Sequence, residues 1–247
     1  MIPKIVHYAW FGSELPDAIQ TRVNEWQEML PGWEFKFWSE KNFDIDQYAF
    51  SSKMYHEGNL GYAADELRYA VLYQYGGFYF DTDMIVKKSL DPLLKHKMVW
   101  GFQYDNSLLT SFFGSEAGHP ALKTILSVYA EELYPELNDD KYHMTSNPFV
   151  TKIFLKSFPD FKTNGERQEL DSDLIVYPRD YFSYQSRNQE ANYMQHLFDN
   201  SWGSANQGLK GRSKALFKQL MPYLWADISA KRGIKSAEAD GVPLMKK

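Results

Sequence analysis

The chain has 247 residues, with 27 Lys and Arg against 32 Asp and Glu, a net charge of -5 and no cysteine. At 44% hydrophobic and 17% aromatic residues it can fill a core and is not a disordered chain. The acidic balance argues against nucleic acid as a partner, and the lack of cysteine excludes disulfides, thiolate metal sites and a thiol nucleophile, so any metal must be held by oxygen or imidazole.

Ile2 to Trp10 is rich in β-formers and reads as a first buried strand, ended by Phe11-Gly12-Ser13. Pro16 and Asp17 open a helix through about Leu30, closed by Pro31-Gly32, and Trp33 to Ser39 alternates as a second strand. Strand, helix, strand is the beginning of a parallel sheet. Gly61 to Tyr75 carries apolar residues at helical spacing and stops at Gly76-Gly77. Phe78-Tyr79-Phe80 follows as a short aromatic strand, then Asp81-Thr82-Asp83, then the extended run Met84 to Val86. Met98 to Gln103 and Ser111 to Gly114 read as strands, Pro120 to Leu133 as a helix, and Asp173 to Tyr177 as a late strand. The residues from Arg179 to Gln207 show no clear period, and Ser213 to Arg232 reads as a helix interrupted near Pro222. The whole reads as one α/β domain over residues 1–207 with a basic, mainly helical extension over 208–247.

In that extension nine Lys or Arg stand against three Asp or Glu, a local +6. Such a tail suits contact with an anionic membrane surface, or is simply a solvated helix with a frayed end. Nothing approaches the roughly 20 apolar residues of a membrane span, and the N-terminus lacks a charged-then-apolar signal pattern. A cytoplasmic protein, with the inner membrane face as one address, is the expectation.

The chemistry centres on Asp81 and Asp83. In a regular strand that spacing places both carboxylates on one face, about 7 Å apart at Cα, where they repel unless a cation or donors lie between them. An Asx-type turn is the alternative. Asp65 and Arg68 share a helix face three residues apart, which serves either a sugar's hydroxyls or an intrahelical ion pair.

The runs Ala64-Asp65-Glu66-Leu67-Arg68 and Tyr75-Gly76-Gly77-Phe78-Tyr79-Phe80-Asp81-Thr82-Asp83, with the opening Ile2 to Gly12, resemble the DxD sugar-binding region of glycosyltransferase family 32. That group includes mannosyltransferases and capsular polysaccharide transferases, and its core is similar to the glucosyltransferase domain of the large clostridial toxins. The resemblance is strong over about the first ninety residues and weaker to about Trp202. It implies a GT-A fold, a Rossmann-like nucleotide-sugar-binding α/β domain with a mixed sheet flanked by helices, working with Mn²⁺ or Mg²⁺. By position, Asp83 would ligate the metal and Asp81 would reach the ribose or sugar, and the metal through water. Asp65 and Arg68 would hold sugar hydroxyls, Trp10 would stack on the base, and Tyr79 would line the same pocket. Tyr193 to Trp202 is similar to the family's His-x4-Ser-Trp element, so His196 would complete the metal shell while Ser201 and Trp202 close over the diphosphate. Trp10 as a core aromatic and His196 as a structural histidine are the plainer readings of those two residues. At Thr145 to Thr151, Asn147 stands where relatives carry the glycine of a Gly-Pro element near the acceptor; a helix start at Pro148 explains the same residues.

The implied activity is retaining transfer of a hexose from a nucleotide-sugar, with UDP-sugars first and GDP-mannose second, to a growing polysaccharide or lipid-linked saccharide. A haloacid dehalogenase-type phosphatase also places Asp-x-Asp after a hydrophobic strand, but here Ile85 stands where Thr or Val is usual and no later lysine motif is evident. A sugar-binding module without turnover is the non-enzymatic alternative.

Overall fold

The computed structural model describes residues 1–199 and 216–245. Its sheet grows from β1 (Ile5–Ala9), which pairs in parallel with β2 (Glu34–Trp38) on one side and β3 (Gly77–Phe80) on the other. Beyond β3 the direction reverses: β7 (Phe112–Ser115) runs antiparallel to both β3 and β5 (Met98–Tyr104). β9 (Leu174–Tyr177) then runs parallel to β5, and β8 (Gln168–Leu170) closes the edge antiparallel to β9. The order is β2-β1-β3-β7-β5-β9-β8, with β6 (Ser107–Leu108) paired to β5. The opening strand, helix, strand is thus parallel as read, within a sheet that is mixed.

Period-two alternation sends the strand residues into two cores. Val6, Phe78, Phe80, Val99, Phe112 and Ile175 face one side, with Ile19, Val23 and Trp26 of α1 (Asp17–Met29). Tyr79, Trp100, Phe102, Phe113 and Val176 face the other, beneath α3 (Leu60–Tyr75), α4 (Pro120–Tyr129) and α6 (Ser146–Ser157). There the Trp100 and Phe113 rings stack at 4.3 Å.

α3 is buried continuously from Ala63 to Leu72, so it carries Asp65, Glu66 and Arg68 into the interior. It ends at Gly76, whose φ of 66° caps it. Gly77 follows at φ 103°, and a Cβ there would meet the Ile5 carbonyl oxygen at 2.5 Å. Only glycine lets β3 close against β1 at this point. His7, buried on β1, accepts from Trp38 Nε1 through Nδ1 at 3.0 Å and donates from Nε2 to the Gly76 carbonyl at 2.9 Å. Burial pushes this imidazole down to about 4, so it is neutral.

Several boundaries differ from the pattern reading. α4 stops at Tyr129 because Glu131 and Tyr134 adopt positive φ. α2 (Ala49–His56), α5 (Asp140–His143) and β8 are too short or too polar to show a period, and α6 starts two residues before Pro148. The aperiodic stretch after Tyr177 holds α7 (Arg179–Phe182) and β10 (Met194–His196), which pairs antiparallel with β4 (Met84–Val86). Residues 216–220 are helical, Met221 is not, and Pro222 begins α8 (Pro222–Ala239), so the helical extension is interrupted at Pro222 as read, a first-turn position needing no N–H. α8 is knitted to the sheet: a Cβ on Gly233 would lie 2.2 Å from the Tyr104 ring, and Asn106 Nδ2 donates to the carbonyls of Ile234 and Val242 at 3.1 and 2.9 Å. Among the described residues no helix is long and apolar enough to cross a membrane.

Candidate functional site

The Asp81-Thr82-Asp83 segment is a turn between β3 and β4, not a continuous strand. The Met84 amide donates to the Asp81 carbonyl at 3.1 Å, and Asp81 N donates to the Ser111 carbonyl at 2.8 Å. The turn breaks the period-two rule, so the two carboxylates have different neighbours.

Asp81 lies towards α3. Its Oδ1 is 3.7 Å from Arg68 Nη2, which also pairs with Asp65 Oδ1 at 2.8 Å. Arg68 Nη1 donates to the Thr110 carbonyl at 2.9 Å, and the guanidinium lies 5.1 Å from the Tyr79 ring centroid. The side chains of Asp65 and Arg68 are each 4% exposed, against 30% for Asp81. Burial pushes the Asp65 carboxyl up to about 7, with Arg68 opposing; Arg68 itself stays charged because Asp81 and Asp65 outweigh its burial. Burial, with Asp81 adding to it, pushes the Tyr79 phenol well above its ordinary value, so it stays protonated.

Asp83 lies towards the β4–β10 ribbon. Its Oδ2 is 3.1 Å from His196 Nε2 and accepts from the Asp199 amide at 3.0 Å. The Leu197 amide also donates to the Asp83 carbonyl at 3.0 Å. Burial raises the Asp83 carboxyl, but His196, the Asp199 amide and Arg22 outweigh it and hold the group below the usual range. For His196, burial works against the charged form and Asp83 more than restores it, so its value is raised. His196 Nδ1 is buried with no hydrogen-bond partner among the described residues.

Both aspartates, Asp65, Arg68, Tyr79 and His196 line one cavity of about 420 Å³. Trp10 is 7% exposed in the core on the α1 side, its Nε1 donating to Ser13 Oγ at 2.9 Å; Ala9, one residue earlier, is the β1 residue on the cavity wall. Ser201 and Trp202 lie outside the described residues. The cavity also takes in Asn147, from the stretch read as near the acceptor, and Asp199. Asn147 Oδ1 accepts from the Thr110 amide at 3.0 Å and its Nδ2 donates to Gln103 Oε1, joining the start of α6 to β5 and the approach to β7. Asp199 joins Asp83 through its backbone, a contact that no side-chain pattern announces.

Among the described residues no group of three or more His, Asp or Glu stands converged as a metal shell. The donor set nonetheless suits a divalent cation such as Mn²⁺: carboxylate oxygens and an imidazole line one cavity, and that imidazole keeps a buried ring nitrogen unpartnered.

A mixed sheet whose inverted strand lies beside the strand that delivers an Asp-x-Asp turn to a polar cavity is a GT-A glycosyltransferase fold. The solved PaToxG glycosyltransferase shares it, with a TM-score of 0.52 at 14% identity over 64% of this chain and 70% of that one. Residues 16–100 match the glycosyltransferase sugar-binding region containing a DXD motif. Inositol phosphoceramide mannosyltransferase 1 of Schizosaccharomyces pombe is 32% identical over 100 residues, 38% of this chain and 31% of the relative. Mannosyl phosphorylinositol ceramide synthase CSH1 of Saccharomyces cerevisiae is 26% identical over 192 residues, 73% of this chain and 49% of the relative. The chain spans 31 to 38% of the length of the three Schizosaccharomyces pombe relatives it matches.

Proposed function

We propose that this chain is a metal-dependent, retaining glycosyltransferase that moves a hexose from a nucleotide-sugar to a saccharide or lipid-linked saccharide. The observation that carries the reading is the single cavity, about 420 Å³, collecting Asp81, Asp83, the Asp65–Arg68 pair and His196. Its volume is that of a small-molecule site, with few and convergent charged groups. Asp83 and His196, with Asp81, would hold Mn²⁺ or Mg²⁺. When bound, the cation stabilises the negative charge that develops on the leaving diphosphate.

The protein's own groups position the sugar. Arg68 is buried between two carboxylates and fixed on the Thr110 carbonyl, so Asp65 and Asp81 are held as acceptors for sugar hydroxyls, while Tyr79 keeps its proton. Ala9 at the end of β1 lines the cavity, whereas Trp10 is held in the core on the other side of the sheet; by the family resemblance, Ser201 and Trp202 would close over the diphosphate. No residue is assigned as general base; the leaving diphosphate takes the acceptor proton on the same face. The phosphatase alternative needs a lysine beside the paired acids, and among the described residues no lysine lines the cavity.

Relatives named as mannosyltransferases put a mannosyl donor beside the UDP-hexoses as a candidate. The test is release of nucleoside diphosphate from each common UDP- or GDP-sugar with Mn²⁺, with Asp83→Ala alongside. Metal-dependent release from one donor, lost in Asp83→Ala, is the expected result. No release from any donor, together with hydrolysis of a simple phosphomonoester, would replace this reading by the phosphatase. Membrane contact through the basic C-terminal region belongs to the same proposal. Because α8 is bonded to Asn106, the sound test is the exposed triple substitution Lys231→Gln, Arg232→Gln and Lys235→Gln, which should weaken sedimentation with anionic liposomes.

A further inference from the structure

A transferase must bring a second substrate to the edge of its donor site, and a second cavity of about 490 Å³ opens there. Tyr62 and Thr145 line both cavities, so the two adjoin. We propose that this second cavity is the acceptor subsite and that it takes a neutral saccharide; the inference rests on the transferase reading above.

Two features define the occupant. First, the cavity exposes aromatic surface: Tyr62 is 41% exposed and Tyr142 38%, whereas Tyr69, Tyr79 and Tyr129 of the core are at most 1% exposed. Tyr142 is braced from one side by Phe50, with ring centroids 5.5 Å apart, and Lys53 Nζ lies 5.8 Å from its ring centre. A tyrosine held in place beside open space offers a flat apolar surface and a polar tip, which is what the C–H face and hydroxyls of a sugar ring require.

Second, the charges at this cavity are largely matched. Lys53 pairs with Glu57, and the Lys141 ammonium donates to the Tyr129 carbonyl at 2.8 Å and to Glu131 at 2.9 Å. Asp240, from the turn after α8, adds a carboxylate to the cavity rim. Among the described residues the cavity therefore has no unmatched lysine to hold a phosphate group, while Asn59 and Thr145 supply neutral donors and acceptors. A sugar whose hydroxyl lies near the shared Tyr62–Thr145 wall is directed towards the Asp81 side of the first cavity.

The experiment uses the full chain with Mn²⁺ and its donor, and the probes lactose, mannobiose and maltotriose. Acceptor binding is read by saturation-transfer NMR, and transfer and donor cleavage to water by separate initial rates. The variants are Tyr142→Ala, Tyr142→Phe as the conservative control, and His143→Trp, which fills the cavity from an exposed position. The expected result is that at least one probe binds, and that Tyr142→Ala raises its KM about tenfold, the effect of losing one aromatic contact. Donor KM and donor cleavage to water stay unchanged, Tyr142→Phe keeps near wild-type KM, and His143→Trp blocks transfer but not cleavage. Equal saccharide KM in wild type, Tyr142→Ala and His143→Trp overturns the inference while leaving the transferase reading standing, as does absence of binding by every probe when donor cleavage is intact. Saccharide binding lost in Tyr142→Ala without cleavage of any donor would instead retain the subsite and remove the transferase.

Discussion

The two walls of the cavity that holds the Asp-x-Asp turn reach similar chemistry by different routes. The Asp65–Arg68–Asp81 wall is local in sequence, assembled from one helix and the strand that follows it, and its one cation is shared between two carboxylates. The Asp83–His196 wall is non-local: β4 and the late β10 bring the pair together, and Asp83 also binds the Asp199 amide across 116 positions. One motif thus hands its first aspartate to a charge network with Arg68 and Asp65 and its second to a wall whose imidazole keeps a nitrogen without a partner among the described residues. The first wall holds its carboxylates rigidly around one guanidinium and the second leaves room for a cation, and substitutions should separate loss of stability from loss of cation binding along that line.

The largest effect is expected at Arg68. Replacing it by Ala leaves the Asp65 and Asp81 carboxylates facing each other without their cation, in surroundings where Asp65 is 3% exposed. Breaking a buried ion pair from one side costs about 3–5 kcal/mol, read as a fall in the urea midpoint. Adding Asp65→Asn to the same chain should recover part of that loss. A cost near zero would mean that the wall is not a closed network.

Next comes acid. His7 ties the carbonyl of Gly76, at the end of the helix that carries Arg68, to β1. Its folded value of about 4 lies below its ordinary 6.5, so between those pH values the unfolded chain binds a proton that the folded chain does not. The contribution of His7 is therefore constant above about pH 6.5 and falls as pH drops towards 4, by about 3 kcal/mol. Asp65, raised to about 7, acts in the opposite sense over that range, so the His7 effect is read as the difference from a non-titrating variant. His7→Gln keeps a donor for Gly76 and an acceptor for Trp38 but does not titrate. Urea titrations from pH 7 to 4 should show wild type losing stability relative to that variant; parallel profiles would show that His7 is not the group responsible.

The same contrast between local and non-local explains what the sequence made legible. Asp65, Arg68, Tyr79 and the two aspartates all fall within one helix, one glycine turn and one strand, where spacing alone sets their relations. His196 was reachable only through the family resemblance, since a lone histidine in an aperiodic stretch carries no spacing signal. The divergence of Asp81 from Asp83 was not legible, because a two-residue spacing specifies a shared face only while the strand continues, and here a turn intervenes. Trp10 shows a related limit: at the end of β1, adjacent residues point to opposite sides of the sheet, and it is Ala9 that lines the cavity. α5 and β8 escaped for a simpler reason, being four and three residues long.

Metal addition tests the second wall directly. A cation present at about a hundred times its Kd stabilises the folded state by about 2.7 kcal/mol if it binds only that state. Thermal melts with Mn²⁺ should show this rise in wild type and in Asp65→Asn, and none in Asp83→Asn. Equal loss of the rise in Asp65→Asn and Asp83→Asn would merge the two walls into one site and remove the contrast.

The smallest effect is expected at Asn147, which belongs to neither wall and joins the strands beneath them. Its side chain accepts from the Thr110 amide and donates to Gln103, and Thr110 in turn offers the carbonyl that anchors Arg68. Asn147→Gly, the residue that the family resemblance places here, removes these bonds and the one that Oδ1 accepts from the Thr110 hydroxyl, and leaves the Thr110 amide short of a partner. The cost is about 1–2 kcal/mol of stability. Because the anchor of Arg68 is the Thr110 backbone and not Asn147 itself, donor cleavage should change by less than about threefold, under 1 kcal/mol in barrier. A larger loss of cleavage, with the urea midpoint unchanged, would show that Asn147 contacts the bound sugar itself, and would extend the ligand-facing part of the cavity from the Asp83 wall across its floor.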